Sequence, residues 1–435
     1  MKKIILSIAL LFSVISCIEE VDLAIGSIDT TRDIVIIEGT LTNEFKNQRI
    51  RITRMDTITD LEVDTLINPF LPTFDINRDL VRYEENATVL VTDDIGNRFD
   101  FEETSPGNYR SEIPFSAEVG VLYQLNVMTT DNRSFSSVPT QIGGISAIEE
   151  LYAEKIVNDN GEEGIGIFID NTAQSGDVRN LRYTYDETYK IIAPFWDELA
   201  FKLSNYDPCA LPVVTYDLEI VPRETEQRVC YGSKSSNTII QAQQTNPEST
   251  GLNRFMVRFI DRNDFILSHR YSIEVTEMVT SQESYGFYDL LNNFSQTGNI
   301  FTQIQPGFLE GNIVADDGSQ GTVLGFFDVV SVSKKRLFFN YTDFYPNEEL
   351  PDYPSPCFEQ SSPESHVSRC ATGLSGGGCP LSIIEGVNLD LYTYVRNNDG
   401  LAVGICPGPY VYVFKLCGDC TALGSNIVPE FWTEE

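Results

Sequence analysis

Three patterns in this 435-residue chain combine residue types and spacings that could do chemistry. The first is Gly373-Leu374-Ser375-Gly376-Gly377, which matches the G-x-S-x-G form of a nucleophile elbow. An elbow needs a buried strand before the serine and a helix after it, so that the hydroxyl stands on a strained turn. Here loop-like residues flank the pattern, bracketed by Cys370 and Cys379, so it reads as a glycine loop. The second is Cys417-x-x-Cys420, a spacing shared by zinc sites and disulfide frameworks. The third is a set of carboxylate pairs, Asp93/Asp94, Asp316/Asp317 and Glu348/Glu349. Two carboxylates facing each other across a cleft would suit glycoside hydrolysis, but each of these pairs falls where a turn is expected.

Histidine adds little. Of the two present, His269 shares strand parity with Tyr271, Ile273 and Val275 and is expected to face a core, while His366 lies in a cysteine-rich loop. General-base or histidine-metal chemistry therefore has little support. Asn158 to Gly164 and Asn397 to Gly400 have the composition of calcium loops but not their ligand spacing, and read as turns. The sequence thus calls for no catalytic residue, no metal and no cofactor, and it names no ligand.

The most informative residue is Cys17. Lys2 and Lys3 precede an almost unbroken apolar run from Ile4 to Ile15, too short to span a bilayer but suited to an export signal. Val14-Ile15-Ser16-Cys17 then resembles a bacterial lipobox, with cleavage expected before Cys17 and acyl chains on its thiol and amine. Three chains, at about 0.8 kcal/mol per buried methylene, anchor a protein far better than one. Glu19, Glu20 and Asp22 follow at once, and acid here resembles the signal that sends lipoproteins of Bacteroidota to the cell exterior. The expected location is the outer membrane, lipid-anchored and facing outward.

Composition narrows the partners. The net charge is −34, with 64 acidic and 30 basic side chains, which argues against nucleic-acid and anionic-lipid binding. The 42% apolar and 11% aromatic content belongs to a folded chain. Beyond Cys17 there remain Cys209, Cys230, Cys357, Cys370, Cys379, Cys406, Cys417 and Cys420, an even number in an exported chain. They read as disulfides rather than zinc ligands, because no second close pair accompanies Cys417 and Cys420. Cys209 and Cys230 stand apart from the others and are expected to pair.

The elements that must position these residues are mostly strands. After a signal peptide (1–16) and a tether (17–32), residues 33–138 alternate in short runs with turn signals roughly every ten residues, as in an Ig-like β-sandwich. Ile50 and Ile52 alternate with Arg49 and Arg51; Ala87, Val89 and Val91 share a face, as do Val121, Tyr123, Leu125 and Val127. Asp56 to Arg82 is irregular and reads as a long loop, a common place for binding residues. Pro139 to Ser146 reads as a boundary, and 147–435 as a larger antiparallel β domain with a cysteine-rich C-terminal region. One helix is expected there, with Thr280 and Glu283 as a capping box and Phe287, Leu290, Leu291 and Phe294 at helical spacing.

Together these features resemble the Bacteroidota lipoproteins called domain of unknown function 4249. Gln305 to Ile313 and Val323 to Phe327 look like that family's central signature, and Leu416 to Trp432 is similar to its ending. The resemblance implies an outer-membrane β-barrel partner, most naturally a TonB-dependent receptor, and carries over no catalytic residue. The expectation is a non-catalytic binding or accessory subunit of such a transporter. A structural or assembly subunit of a larger outer-membrane machine is the alternative, and a carboxylate-based hydrolase the remotest.

Overall fold

The computed structural model describes residues 34–55, 81–208, 210–211, 213–246, 250–296, 309, 311–318, 323–362, 364, 383–399 and 408–434. The signal peptide, the tether with Cys17, Glu19, Glu20 and Asp22, most of the Asp56–Arg82 segment, the glycine loop and His366 lie outside these residues. So do Cys209, Cys370, Cys379 and Cys406. The fold is mainly β, as the alternation predicts.

The N-terminal unit contains β1 (Val35–Thr42), β2 (Arg49–Met55), β3 (Val81–Tyr83), β4 (Thr88–Asp93), β5 (Arg98–Ser105), β6 (Asn108–Ser111), β7 (Tyr123–Met128) and β8 (Ser134–Ser137). The predicted inward faces are buried together: Ile50, Ile52, Val89, Val91, Tyr123, Leu125 and Val127 share one core. The carboxylates predicted to sit in turns do so. Asp93 accepts from Asn97, and Asp94 accepts from the Leu122 amide at 3.1 Å.

Beyond the Pro139–Ser146 segment come β9 (Gly144–Val157), β10 (Glu163–Gly176), β11 (Asn180–Ile192), β12 (Leu199–Asp207), β13 (Thr215–Pro222), β14 (Val229–Ser235), β15 (Ile240–Gln243), β16 (Phe255–Asp261), β17 (Arg270–Val279), β18 (Ile313–Ala315), β19 (Val323–Asn340), β20 (Tyr392–Asn397) and β21 (Tyr410–Phe414). Strands β9, β10 and β16 form a three-stranded layer, packed on β11 and β17 through Ile165, Ile167, Ile169, Tyr271, Ile273 and Val275. At the β9–β10 connection, Asn158 Oδ1 accepts from the amides of Asn160 and Glu162, so this segment forms the expected turn.

The two units share a strand. Val323–Val330 of β19 pairs parallel with β1, and Ser331–Asn340 pairs antiparallel with β17. One continuous strand, Val323–Asn340, makes both pairings. As a result one sheet runs β14-β11-β17-β19-β1-β2-β6-β5-β4-β7-β8-β18. Ile313, Phe327 and Val329 complete the N-terminal core, so that unit draws on residues some 175 positions past the 33–138 span read from sequence. Asn312 then ties the last strand back to β19. Its Nδ2 donates to the Phe327 carbonyl and its Oδ1 accepts from the Phe327 amide, both at 2.8 Å.

The glycines of the sequence signature earn their place here. Gly325 has φ +120°, and a Cβ there would stand 1.9 Å from the Ile37 carbonyl oxygen. A Cβ on Gly311 would stand 1.7 Å from the Gly325 oxygen. Backbones approach at both points more closely than any side chain permits.

The expected helix is α1 (Gln282–Gln296), laid on β19 through Phe287 against Phe326. Its first turn is closed by Ser281, whose Oγ accepts from the Ser284 amide at 3.0 Å. Thr280 is instead buried and donates its amide to the Asn180 carbonyl, so the cap lies one residue later than the capping-box pattern suggests.

Two disulfides correct the expected pairing. Cys230 bonds to Cys420, not to Cys209, and Cys357 bonds to Cys417. Cys417-x-x-Cys420 is therefore two halves of different cross-links. Together they bind β14, the residues before β20 and the C-terminal turn into one body. Trp432 is buried against Tyr231 and Phe338 and holds the C-terminus on the fold, while Phe431 stays exposed.

Candidate functional site

The shared strand creates the site. Because inward residues alternate with outward ones, the outer face of the N-terminal unit carries rows read directly from register. Glu38 lies opposite Arg51, and Arg51 opposite Asn108; Asp328 lies beside Thr40, Thr40 opposite Arg49, and Arg49 opposite Arg110. The same sheet face continues onto β17 and β11 with Thr276, Met278, Arg182 and Thr184, which alternate with core residues Val275, Leu181, Tyr183 and Tyr185. The sheet bends so that these two halves line one open groove of about 1380 Å³, with Tyr288 of α1 at its side. That is larger than the usual pocket for a drug-sized molecule.

The charge of this groove opposes that of the chain. Six cations line it, Lys46, Arg49, Arg51, Arg110, Arg182 and Lys334, against two carboxylates, Glu38 and Glu44. Glu44 bridges Lys46 and Lys334, the latter at 2.7 Å. Burial pushes its carboxyl up, but hydrogen bonds and attraction from the two lysines outweigh that and leave it below the ordinary carboxylate range. Arg49, Arg51 and Arg110 have no ion-pair partner among the described residues. Arg110 is held by a hydrogen bond from Nη2 to Asn47 Oδ1 at 2.7 Å, and Arg51 lies 6.0 Å from the centre of the Tyr83 ring.

Arg182 forms the floor. It is 8% exposed, reaches the still more deeply buried Asp328 at 3.2 Å and stacks 4.1 Å from the centre of the Tyr288 ring. Asp328 also accepts from Ser284 Oγ at 2.9 Å. Burial pushes the Asp328 carboxyl up while Arg182 and Ser284 oppose it. One amino group, Arg182 Nη1, is buried with no acceptor among the described residues. The mouth is rigid: Gln48, fully buried, accepts from the Thr42 amide at 3.1 Å and donates to the Phe115 carbonyl at 2.8 Å, fixing the β1–β2 turn.

The residues first suspected of chemistry are elsewhere. Asp316 accepts from Ser136, and Glu348 pairs with Arg262. His269 precedes β17 rather than joining it and is half-buried instead of core-facing; burial, with Lys190 nearby, lowers its pKa. Among the described residues no group of three or more His, Cys, Asp or Glu could hold a metal ion. Of the groove arginines, the sequence displayed only Arg49 and Arg51, through their alternation with Ile50 and Ile52. Arg110, Arg182 and Lys334 sit on strands far apart in the chain, and only their pairing unites them.

A family model described as Domain of unknown function (DUF4249) matches residues 18–336. That span takes in every residue named above for the groove, and stops short of the Leu416–Trp432 tail. No curated protein matches the chain.

Proposed function

The chain belongs to the DUF4249 family, and from that premise we propose that it is a lipid-anchored, non-catalytic binding subunit on the outer face of the outer membrane. It serves an outer-membrane β-barrel, most naturally a TonB-dependent transporter. The observation that carries the binding role is the groove: its arginines, threonines and amides stand on paired strands and are suited to holding a ligand in one geometry. Anchoring rests on the lipobox at Val14 to Cys17, and the outward orientation on Glu19, Glu20 and Asp22. Two experiments test it. Protease added to intact cells degrades the protein, and mild-detergent purification of the tagged chain recovers one dominant β-barrel receptor. Recovery with several assembly or secretion proteins would replace this role with a machine component. Survival of the protein on intact cells, with cleavage only after lysis, would place it on the inner leaflet.

A further inference from the structure

Arg49 and Arg110 are exposed and directly opposed on neighbouring strands, a spacing of about 5 Å at which like charges repel. Glu102 lies across from Arg110 on its other side but makes no ion pair with it among the described residues. Glu102 is the one carboxylate in register with either of them, so the Arg49–Arg110 pair is left without an ion-pair partner among the described residues. Arg51 continues the row about 7 Å along the same strand. At the floor, Arg182 Nη1 is buried without an acceptor among the described residues. Thr40, Thr184, Thr276 and Asn108 fill the spaces between these cations with hydroxyl and amide groups. The groove is thus short of anion and rich in groups that bind hydroxyls.

We infer that the groove binds an acidic oligosaccharide, whose carboxylates or sulfates are held by Arg49 and Arg110 and whose hydroxyls meet the threonine and asparagine side chains. This rests on the binding-subunit reading and names its ligand class. A peptide that binds by strand addition is less suited, because that mode needs a free sheet edge. The groove is instead made from faces of β1, β2, β6, β17 and β19, each paired on both sides. Nucleic acid is less suited too. Its charge density, one per about 1.7 Å in a duplex, would extend into the acidic remainder of the surface. Among the described residues only Phe45 and Tyr288 offer the groove an aromatic ring, since Tyr109 and Tyr183 are buried.

The test uses the full-length protein in detergent and calorimetric titration with five probes. These are pentagalacturonate, a heparin hexasaccharide, neutral maltopentaose, a glutamate-rich decapeptide and a fifteen-nucleotide oligothymidylate. One acidic glycan binds, the neutral one does not, and the affinity falls between low and high salt. Arg49→Ala with Arg110→Ala weakens binding at least tenfold while the melting temperature stays unchanged; Arg49→Gln with Arg110→Gln replaces it should the alanine pair melt early. The carboxylate and sulfate arms decide which acid is recognised. Failure of both acidic glycans, equal binding of the neutral one, preference for the peptide or nucleotide, or undiminished binding by the double variant overturns the inference. A protein that fails here yet still co-purifies with a β-barrel receptor leaves the accessory role standing.

Discussion

Asp328→Asn probes whether the groove floor is desolvated. The side chain keeps its shape and can still accept from Ser284, but the charge facing Arg182 is gone. Asp328 is 1% exposed and Arg182 8%, so the remaining guanidinium would be a buried cation without a counterion. Breaking such a pair from one side costs about 3–5 kcal/mol. At roughly 2 °C per kcal/mol for a large domain, the transition should fall by about 6–10 °C. Scanning calorimetry is the suitable assay, because the two tryptophans, Trp196 and Trp432, report only on the C-terminal part. Arg182→Met in the Asp328→Asn background should restore most of the loss, since Met can lie against the Tyr288 ring and no charge remains buried. A single variant within 1 °C of the parent would mean that water in the groove already solvates Arg182. A double variant as unstable as the sum of the two singles would refute the pairing argument.

Asn312→Ala removes both hydrogen bonds to the Phe327 backbone and should destabilise the protein by about 2–4 kcal/mol, read as a lower melting temperature, with Asn312→Asp intermediate because it keeps only the acceptor. Burial pushes the Asp131 carboxyl up, but Thr129, Arg54 and Arg133 hold it well below the usual carboxylate range. A depressed carboxylate pKa contributes stability above the unfolded value, near 3.9, and loses it as pH falls through the folded value. The melting temperatures of Asp131→Asn and the parent should therefore differ at pH 6 and converge progressively below pH 4; a gap that widens on acidification would contradict the assignment. Unreduced peptide mapping should recover Cys230 linked to Cys420 and Cys357 linked to Cys417, and a Cys417–Cys420 species would contradict the fold of the tail.

Local pattern carried the elements. The alternation of Ile50 and Ile52 with Arg49 and Arg51, and of Val89 and Val91 with their neighbours, fixes inward and outward faces because strand side chains have a period of two. Helical spacing at Phe287, Leu290 and Leu291 likewise places α1, and the paired carboxylates announce turns through their affinity for free backbone amides. None of this could reveal that β19 changes partner at Val330 and Ser331, since hydrophobic pattern tells which face is buried but not which strand lies alongside. Nor could spacing pair Cys230 with Cys420 across 190 residues, because that depends on where β14 and the C-terminal turn come to rest. The groove belongs to this second class: nothing unites Arg49, Arg110 and Arg182 until register sets two of them side by side and the shared strand brings the third into the same groove.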